Sequence, residues 1–145
     1  SKPDGSEAMS GVSYERSMVS MRQIVDGLSQ TYLVGERYVR QDSYDTGIDR
    51  GDNETWCTGF NNDNFRRTAY LDDAGDIVET PPIPDSTLLK YEYDSLGRFG
   101  SAHVNGWNMA FCDGSVRSLS YSIDGKVHRS FGNRFDGCLA WALDQ

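Results

Sequence analysis

Apolar and polar residues alternate most regularly between residues 106 and 123. Trp107, Met109 and Phe111 are interleaved with Asn108, Ala110 and Cys112, and after Asp113-Gly114 a second arm, SVRSLSYSI, alternates in the same way. A period of two places every other side chain on one face of a strand. Asp-Gly between two such arms predicts a β-hairpin with a type I′ turn, which needs positive φ at both central residues. Residues 31–39, TYLVGERYV, are rich in β-branched and aromatic side chains and predict another strand. Gly35 within it predicts a bulge or a close backbone approach.

Elsewhere the pattern is weaker. Residues 1–11 are polar, with two glycines, and read as a mobile end; residues 12–145 read as one domain. Residues 12–19 are a candidate strand. Residues 21–30 mix a short helical turn with a chain reversal at Asp26-Gly27. Residues 41–54 read as loop, 55–60 as a short strand carrying Trp56, and 61–86 as mostly irregular, with a turn at residues 73–76. The Pro81-Pro82-Ile83-Pro84 run is extended and unfit for a central strand. Residues 91–98, YEYDSLGR, look like one YD repeat unit, but a single copy builds no repeat architecture. Asp124 is placed to cap a helix from residue 125 to about residue 131, stopped by Gly132-Asn133. The fold class is therefore α+β: a β-rich antiparallel sheet with a C-terminal hairpin and one or two short helices.

Composition sharpens this picture in one place. The 145 residues suit a single core. Residues 41–85 hold eleven acids and three bases (Arg50, Arg66 and Arg67), which accounts for the whole net charge of -8. Such a field repels nucleic acid and anionic membranes and attracts cations. Asp52, Asn53, Glu54, Asn61, Asp63 and Asn64 offer the hard oxygen ligands that Ca²⁺ takes. Asp52, Asn53, Glu54 and Asp63 are the first candidates for a metal site, with Ca²⁺ as the candidate ion, although their spacing is not that of an EF-hand. The competing reading is a solvated acidic loop whose charges Arg66 and Arg67 neutralise as surface pairs. Trp56, Tyr44 and Phe60 nearby are aromatics suited to holding a glycan.

Cys57, Cys112 and Cys138 show no C-x2-C spacing. One disulfide with one free thiol, a bond to a segment outside this sequence, and a buried unpaired Cys112 all stay open. His103 has no acid or nucleophile beside it in sequence, so it reads as a structural residue bonded to a backbone group where the hairpin begins. Asp113 and Gly114 read as turn residues. His128, in the second half of the last helix, reads as a cation favoured by the helix dipole. No Ser/His/Asp or Cys/His pattern, P-loop or G-x-G-x-x-G is present, and the chain reads as a non-enzyme.

The spacing from His103 over nine residues to Asp113-Gly114 resembles the H-x9-DG motif of a large bacterial pilin-like family, the one with the prepilin-type processing-associated H-x9-DG domain. IVDGLSQT at residues 24–31, followed by Gly35-Glu36, resembles a second segment of that family. GDNE at residues 51–54 with GFNNDN at residues 59–64 resembles its acidic middle loop, and Ser122-Ile123-Asp124 with Val127-His128 its closing segment. Members carry a prepilin leader and a long apolar helix, so the chain resembles the C-terminal globular part of a longer protein. No apolar run in it reaches the roughly 20 residues of a membrane span. The resemblance implies a cell-surface or extracellular structural protein that assembles with itself or with other pilin-like subunits. The alternative is an extracellular module that binds calcium or a glycan through the acidic loop.

Overall fold

A computed structural model of the chain describes residues 10–85 and 96–137. Most of the expected mobile end, most of the YD-like unit and Cys138 lie outside these residues. The described chain is β-rich. Its strands are β1 (Tyr32–Gly35), β2 (Ala69–Leu71), β3 (Ile77–Glu79), β4 (Ile83–Pro84), β5 (Gly100–Ser101), β6 (Gly106–Phe111) and β7 (Val116–Ser120), followed by the helix α1 (Gly125–Phe131). Short 3-10 turns lie at Met21–Gln23, Leu28–Gln30 and Gln41–Ser43.

The main sheet is antiparallel with the order β1-β6-β7. β6 lies in the middle because it is the strand with the heaviest core face. Trp107, Met109 and Phe111 are fully buried there, and Tyr32, Phe99 and Val127 join them. Burial of each large side chain stabilises the fold by about 1.5–3 kcal/mol. Tyr32 meets Phe99 and Phe111 edge-on, with ring centroids 6.1 and 5.3 Å apart. Leu119, Tyr121, Ile123 and Phe131 close the cluster.

Several expectations change in detail. The hairpin turn has three residues rather than two. Ala110 pairs with Val116, Gly114 N–H donates to Phe111 C=O at 2.9 Å, and Phe111 N–H to Ser115 C=O at 2.9 Å. Only Gly114 has a positive φ (85°) in this turn. That is a type I turn followed by a left-handed residue, and it leaves Asp113 in an ordinary conformation. The strand expected over residues 31–39 shortens to β1, with a register shift between Tyr32 and Val34 and an isolated bridge from Arg37 to Phe99. Gly35 marks a close approach, since a Cβ there would meet the end of the buried Met109 side chain.

Residues 12–19 form no strand. Ser17 N–H closes a turn onto Tyr14 C=O at 2.9 Å, and Arg16 adopts φ 60°. Residues 55–60 are turns as well, with Thr58 N–H on Thr55 C=O at 3.2 Å. The region expected to be irregular contains a hairpin, β2–β3. Asp72 builds its turn, its Oδ1 accepting from Ala74 N–H and Asp76 N–H, both at 2.9 Å. The proline run does stay at an edge: Ile83–Pro84 makes a two-residue parallel pairing with β5. Ser10 and Gly11 are held, their carbonyls accepting from Arg134 N–H at 3.0 Å and Arg134 Nη1 at 2.5 Å.

Asp124 caps α1, accepting from Lys126 N–H at 2.8 Å and Val127 N–H at 3.3 Å. His128 is not the expected dipole-stabilised cation. It is fully buried, packed edge-on against Phe99 and Trp107 and tilted against Tyr32. Burial pulls its pKa down to about 3, so the ring is neutral. Its Nδ1 lies 3.2 Å from the Tyr32 hydroxyl, and its Nε2 has no partner.

A depressed imidazole makes stability depend on pH. The unfolded chain takes up the His128 proton first as pH falls. The contribution is therefore complete above the ordinary value of about 6.5 and is lost on acidification towards the folded value. By pH 5 the loss is about 2 kcal/mol, and urea unfolding across pH 4–7 measures it. His128→Leu flattens that limb. It also costs about 1–3 kcal/mol at pH 7, because the buried Tyr32 hydroxyl loses its partner. Adding Tyr32→Phe recovers most of that cost.

Candidate functional site

Three places hold the residues that chemistry would use. The first is the acidic loop, residues 49–66. Its carboxylates are engaged by backbone amides, by Arg37 and by the Asn61 side chain. Asp49 is buried; its Oδ1 accepts from Gly51 N–H at 2.7 Å and its Oδ2 from Arg40 N–H at 2.9 Å. Asp52 pairs with Arg37. Asp63 is also buried, and its Oδ1 accepts from Asn53 N–H at 3.2 Å. Glu54 accepts from Asn61 Nδ2 at 2.6 Å, and Asn64 Nδ2 donates to Gly59 C=O at 3.0 Å. Thus Asp52, Asn53, Glu54 and Asp63 share one loop but not one focus. Among the described residues no three His, Cys, Asp or Glu side chains converge as a metal site.

The loop's scaffold is a pair of guanidinium groups. Arg37 donates to Asp63 C=O at 2.8 Å and Gly51 C=O at 3.4 Å. Arg66 donates to Gly51 C=O at 2.9 Å, to Phe65 C=O at 3.0 Å and to Asn62 C=O. Burial pulls Arg66 down to about 10, which still leaves it charged at neutral pH. Arg67, the other base expected to neutralise this loop, lies over the Tyr70 ring at 4.5 Å. Trp56 and Phe60 are exposed; Tyr44, also half in solvent, donates to Asp85 Oδ2 at 2.7 Å.

The second place is β6 and its two ends. His103 is exposed, and its partner is a carboxylate rather than a backbone group: Nε2 lies 3.3 Å from Glu36 Oε1. Glu36 also accepts from Asn108 N–H at 2.6 Å and Asn108 Nδ2 at 3.2 Å. Its partial burial raises its pKa, but the Asn108 hydrogen bonds and His103 outweigh that, so it sits below the usual range. At the other end Asp113 accepts from Ser115 N–H and Oγ at 2.9 and 2.7 Å. The turn's backbone is tied to the segment before β1: Cys112 N–H donates to Thr31 C=O at 2.9 Å and Asp113 N–H to Leu28 C=O at 3.1 Å. His103 and Asp113 therefore do not form one site. They stand at opposite ends of a six-residue strand, about 20 Å long.

The third place was not legible beforehand. A groove of 770 Å³ lies beside the core, walled by residues 10–14, by Tyr32 and Leu33, by residues 60–62 and 65–71, by Ile77, and by the end of α1 at Gly132 and Asn133. Its lining is mostly apolar, and Leu33, Phe60, Tyr70 and Ile77 are exposed large side chains. Val12 and Tyr14 signalled it by being apolar in a polar segment, but their partners come from four separate segments.

Cys57 and Cys112 are free thiols. Cys112 is half-buried, with burial and then the Asp113 charge pushing its thiol up. Among the described residues no helix is long and apolar enough to cross a membrane.

A family described as a protein of unknown function, DUF1559, matches residues 2–126. The chain belongs to the DUF1559 family. No curated protein and no solved structure matched it. The span shared with DUF1559 takes in the sheet, the acidic loop, His103 and the Asp-Gly turn; it ends within α1, before His128.

The arginine scaffold and the His103 pair differ in what their loss exposes. Arg66→Ala strands several carbonyls in partly buried surroundings and costs about 2–4 kcal/mol. His103→Ala removes an exposed side-chain contact with Glu36 and costs under about 1 kcal/mol. Urea unfolding of the two variants at neutral pH distinguishes them.

Proposed function

We propose that this DUF1559 chain is a structural module of a pilin-like assembly on the cell surface, working by self-association or display and not by catalysis. The observation that carries this reading is the outward face of the main sheet. Val34 pairs with Ala110, and Ala110 with Val116, so the three lie in one row across β1, β6 and β7. Val34 and Val116 are 63% and 68% exposed. Among the described residues β1 and β7 pair with no strand outside them, and an apolar row on such a sheet favours contact with a second copy. The ordered likeness of four segments to the H-x9-DG family supports the same reading.

Sedimentation velocity over a concentration series tests it. The chain is expected to associate reversibly, and Val34→Lys with Val116→Lys to weaken association by about tenfold or more. A wild-type chain that stays monomeric at the highest soluble concentration overturns it.

A second reading, a calcium- or glycan-binding module, has one observation in its favour. Asp63 Oδ2 is buried in the acidic loop without a hydrogen-bond partner, which leaves an anionic oxygen for a cation. Titration calorimetry with Ca²⁺ decides this: heat and a raised melting temperature, both lost in Asp63→Asn, support the ion site, and no heat removes it.

A further inference from the structure

Asn105-Gly106 is the one Asn-Gly pair of the chain, and it joins the His103 segment to the core strand β6. We propose that this pair modifies itself: it closes to a succinimide and reopens as aspartate or isoaspartate, next to the His103–Glu36 contact.

Both reacting groups are available. Asn105 is exposed in the bend before β6, and among the described residues its side chain makes no hydrogen bond. Backbone groups two residues apart on a strand point the same way. Cys112 N–H donates to Thr31 C=O and Asn108 N–H to Glu36 Oε2, so this set of β6 amides faces β1. Gly106 belongs to the set, but after Glu36 the neighbouring chain turns away: Tyr38 N–H donates to Arg98 C=O at 3.3 Å. Gly106 N–H thus lies outside both ladders. Packing keeps glycine at this position, since a Cβ would overlap the Leu119 carbonyl. The same lack of a side chain opens the Gly106 nitrogen to the Asn105 amide carbon.

The four Asp-Gly pairs among the described residues are held apart from this chemistry. The Asp26 carboxylate accepts from Asp136 N–H and Gly137 N–H, which occupies the acid of one pair and the nitrogen of another. Asp113 Oδ1 accepts from Ser115 N–H, and Gly114 N–H donates to Phe111 C=O. Asp124 Oδ1 caps α1.

The reaction balances with water as its one co-reactant. Gly106 N attacks Asn105 Cγ; the new N–Cγ bond replaces the Cγ–Nδ2 bond, and ammonia leaves with the Gly106 proton. Base therefore speeds the closure. Water then opens the ring. Cleavage at Cγ gives aspartate; cleavage at the Asn105 carbonyl carbon gives isoaspartate, whose backbone is one methylene longer. Both products put a carboxylate two residues from His103, whose Nε2 lies 3.3 Å from Glu36 Oε1. The isoaspartyl link also shifts His103 relative to β6.

The test ages the folded full chain in mildly alkaline buffer made with heavy-oxygen water. Peptide mapping is expected to show the amide-to-acid mass gain, with one heavy oxygen, at Asn105 well ahead of Asn108, Asn133 and the four Asp-Gly pairs. The rate is expected to rise with pH, and an isoaspartate-specific methyltransferase to label the product. Asn105→Gln is expected to lose the signal and keep its unfolding curve. The aged chain is expected to melt below Asn105→Asp, which carries the charge on an ordinary backbone. An Asn105 that stays an amide in the folded chain overturns the proposal, whether or not it reacts in urea. Conversion of Asn108 or Asn133 as fast as Asn105 overturns it too, and an aged chain that melts like Asn105→Asp overturns the shift of His103.

Discussion

β1 and β6 are joined by more than their ladder, and the placement of the other elements follows from how that pairing is held. At one end Glu36, just past β1, takes hydrogen bonds from Asn108 on β6 and meets His103. At the other end the turn after β6 hangs from Leu28 and Thr31, just before β1. A one-residue slip would carry Trp107, Met109 and Phe111 from the core face to solvent. Contacts at both ends of the strand penalise such a slip in either direction. The His-to-Asp-Gly spacing thus measures β6: it is long enough to place one clamp before the strand and the other after it.

The core that this pairing positions is small and aromatic, so the remaining chain has little apolar surface to fold around. Its loops are held by polar means. Arg37 and Arg66 enter the acidic region and satisfy carbonyls there, while Asp49 and Asp63 satisfy amides. A charged group donating to neutral carbonyls makes stronger hydrogen bonds than a neutral donor does, which compensates for the scarcity of regular ladder between residues 36 and 68. The negative charge of residues 41–85 is partly a consequence: carboxylates are the acceptors that fold this stretch back on itself.

The β6–β7 hairpin and the capped helix were legible because their signals are local: alternation, an Asp-Gly turn, an Asp before a helix. The β2–β3 hairpin was hidden by the acidic cluster Asp72, Asp73 and Asp76, which reads as loop although Asp72 is what closes the turn. Residues 12–19 carry strand-like residues, but no neighbouring edge pairs with them. The partner of His103 was illegible because Glu36 lies 67 positions away. His128 was misread because its place on the helix was known but the aromatic face it packs against was not. Long-range pairing, not propensity, separates what could be read from what could not.

The distribution of perturbed groups bears on the assembly reading. Perturbed acids and bases cluster at functional sites. Here the imidazole shifted by burial, His128, is sealed in the core among Phe99, Trp107 and Tyr32, with its Nδ1 beside the Tyr32 hydroxyl. His103, the exposed one, is engaged with a carboxylate on the open surface. Three arginines line the groove, Arg66, Arg67 and Arg129; Arg66 is committed to loop carbonyls and Arg67 lies over the Tyr70 ring. Asp49 and Asp63 are spent on internal structure, while Val34 and Val116 face outward. In the proposed assembly, a second copy would gain by covering the exposed row from Val34 to Val116.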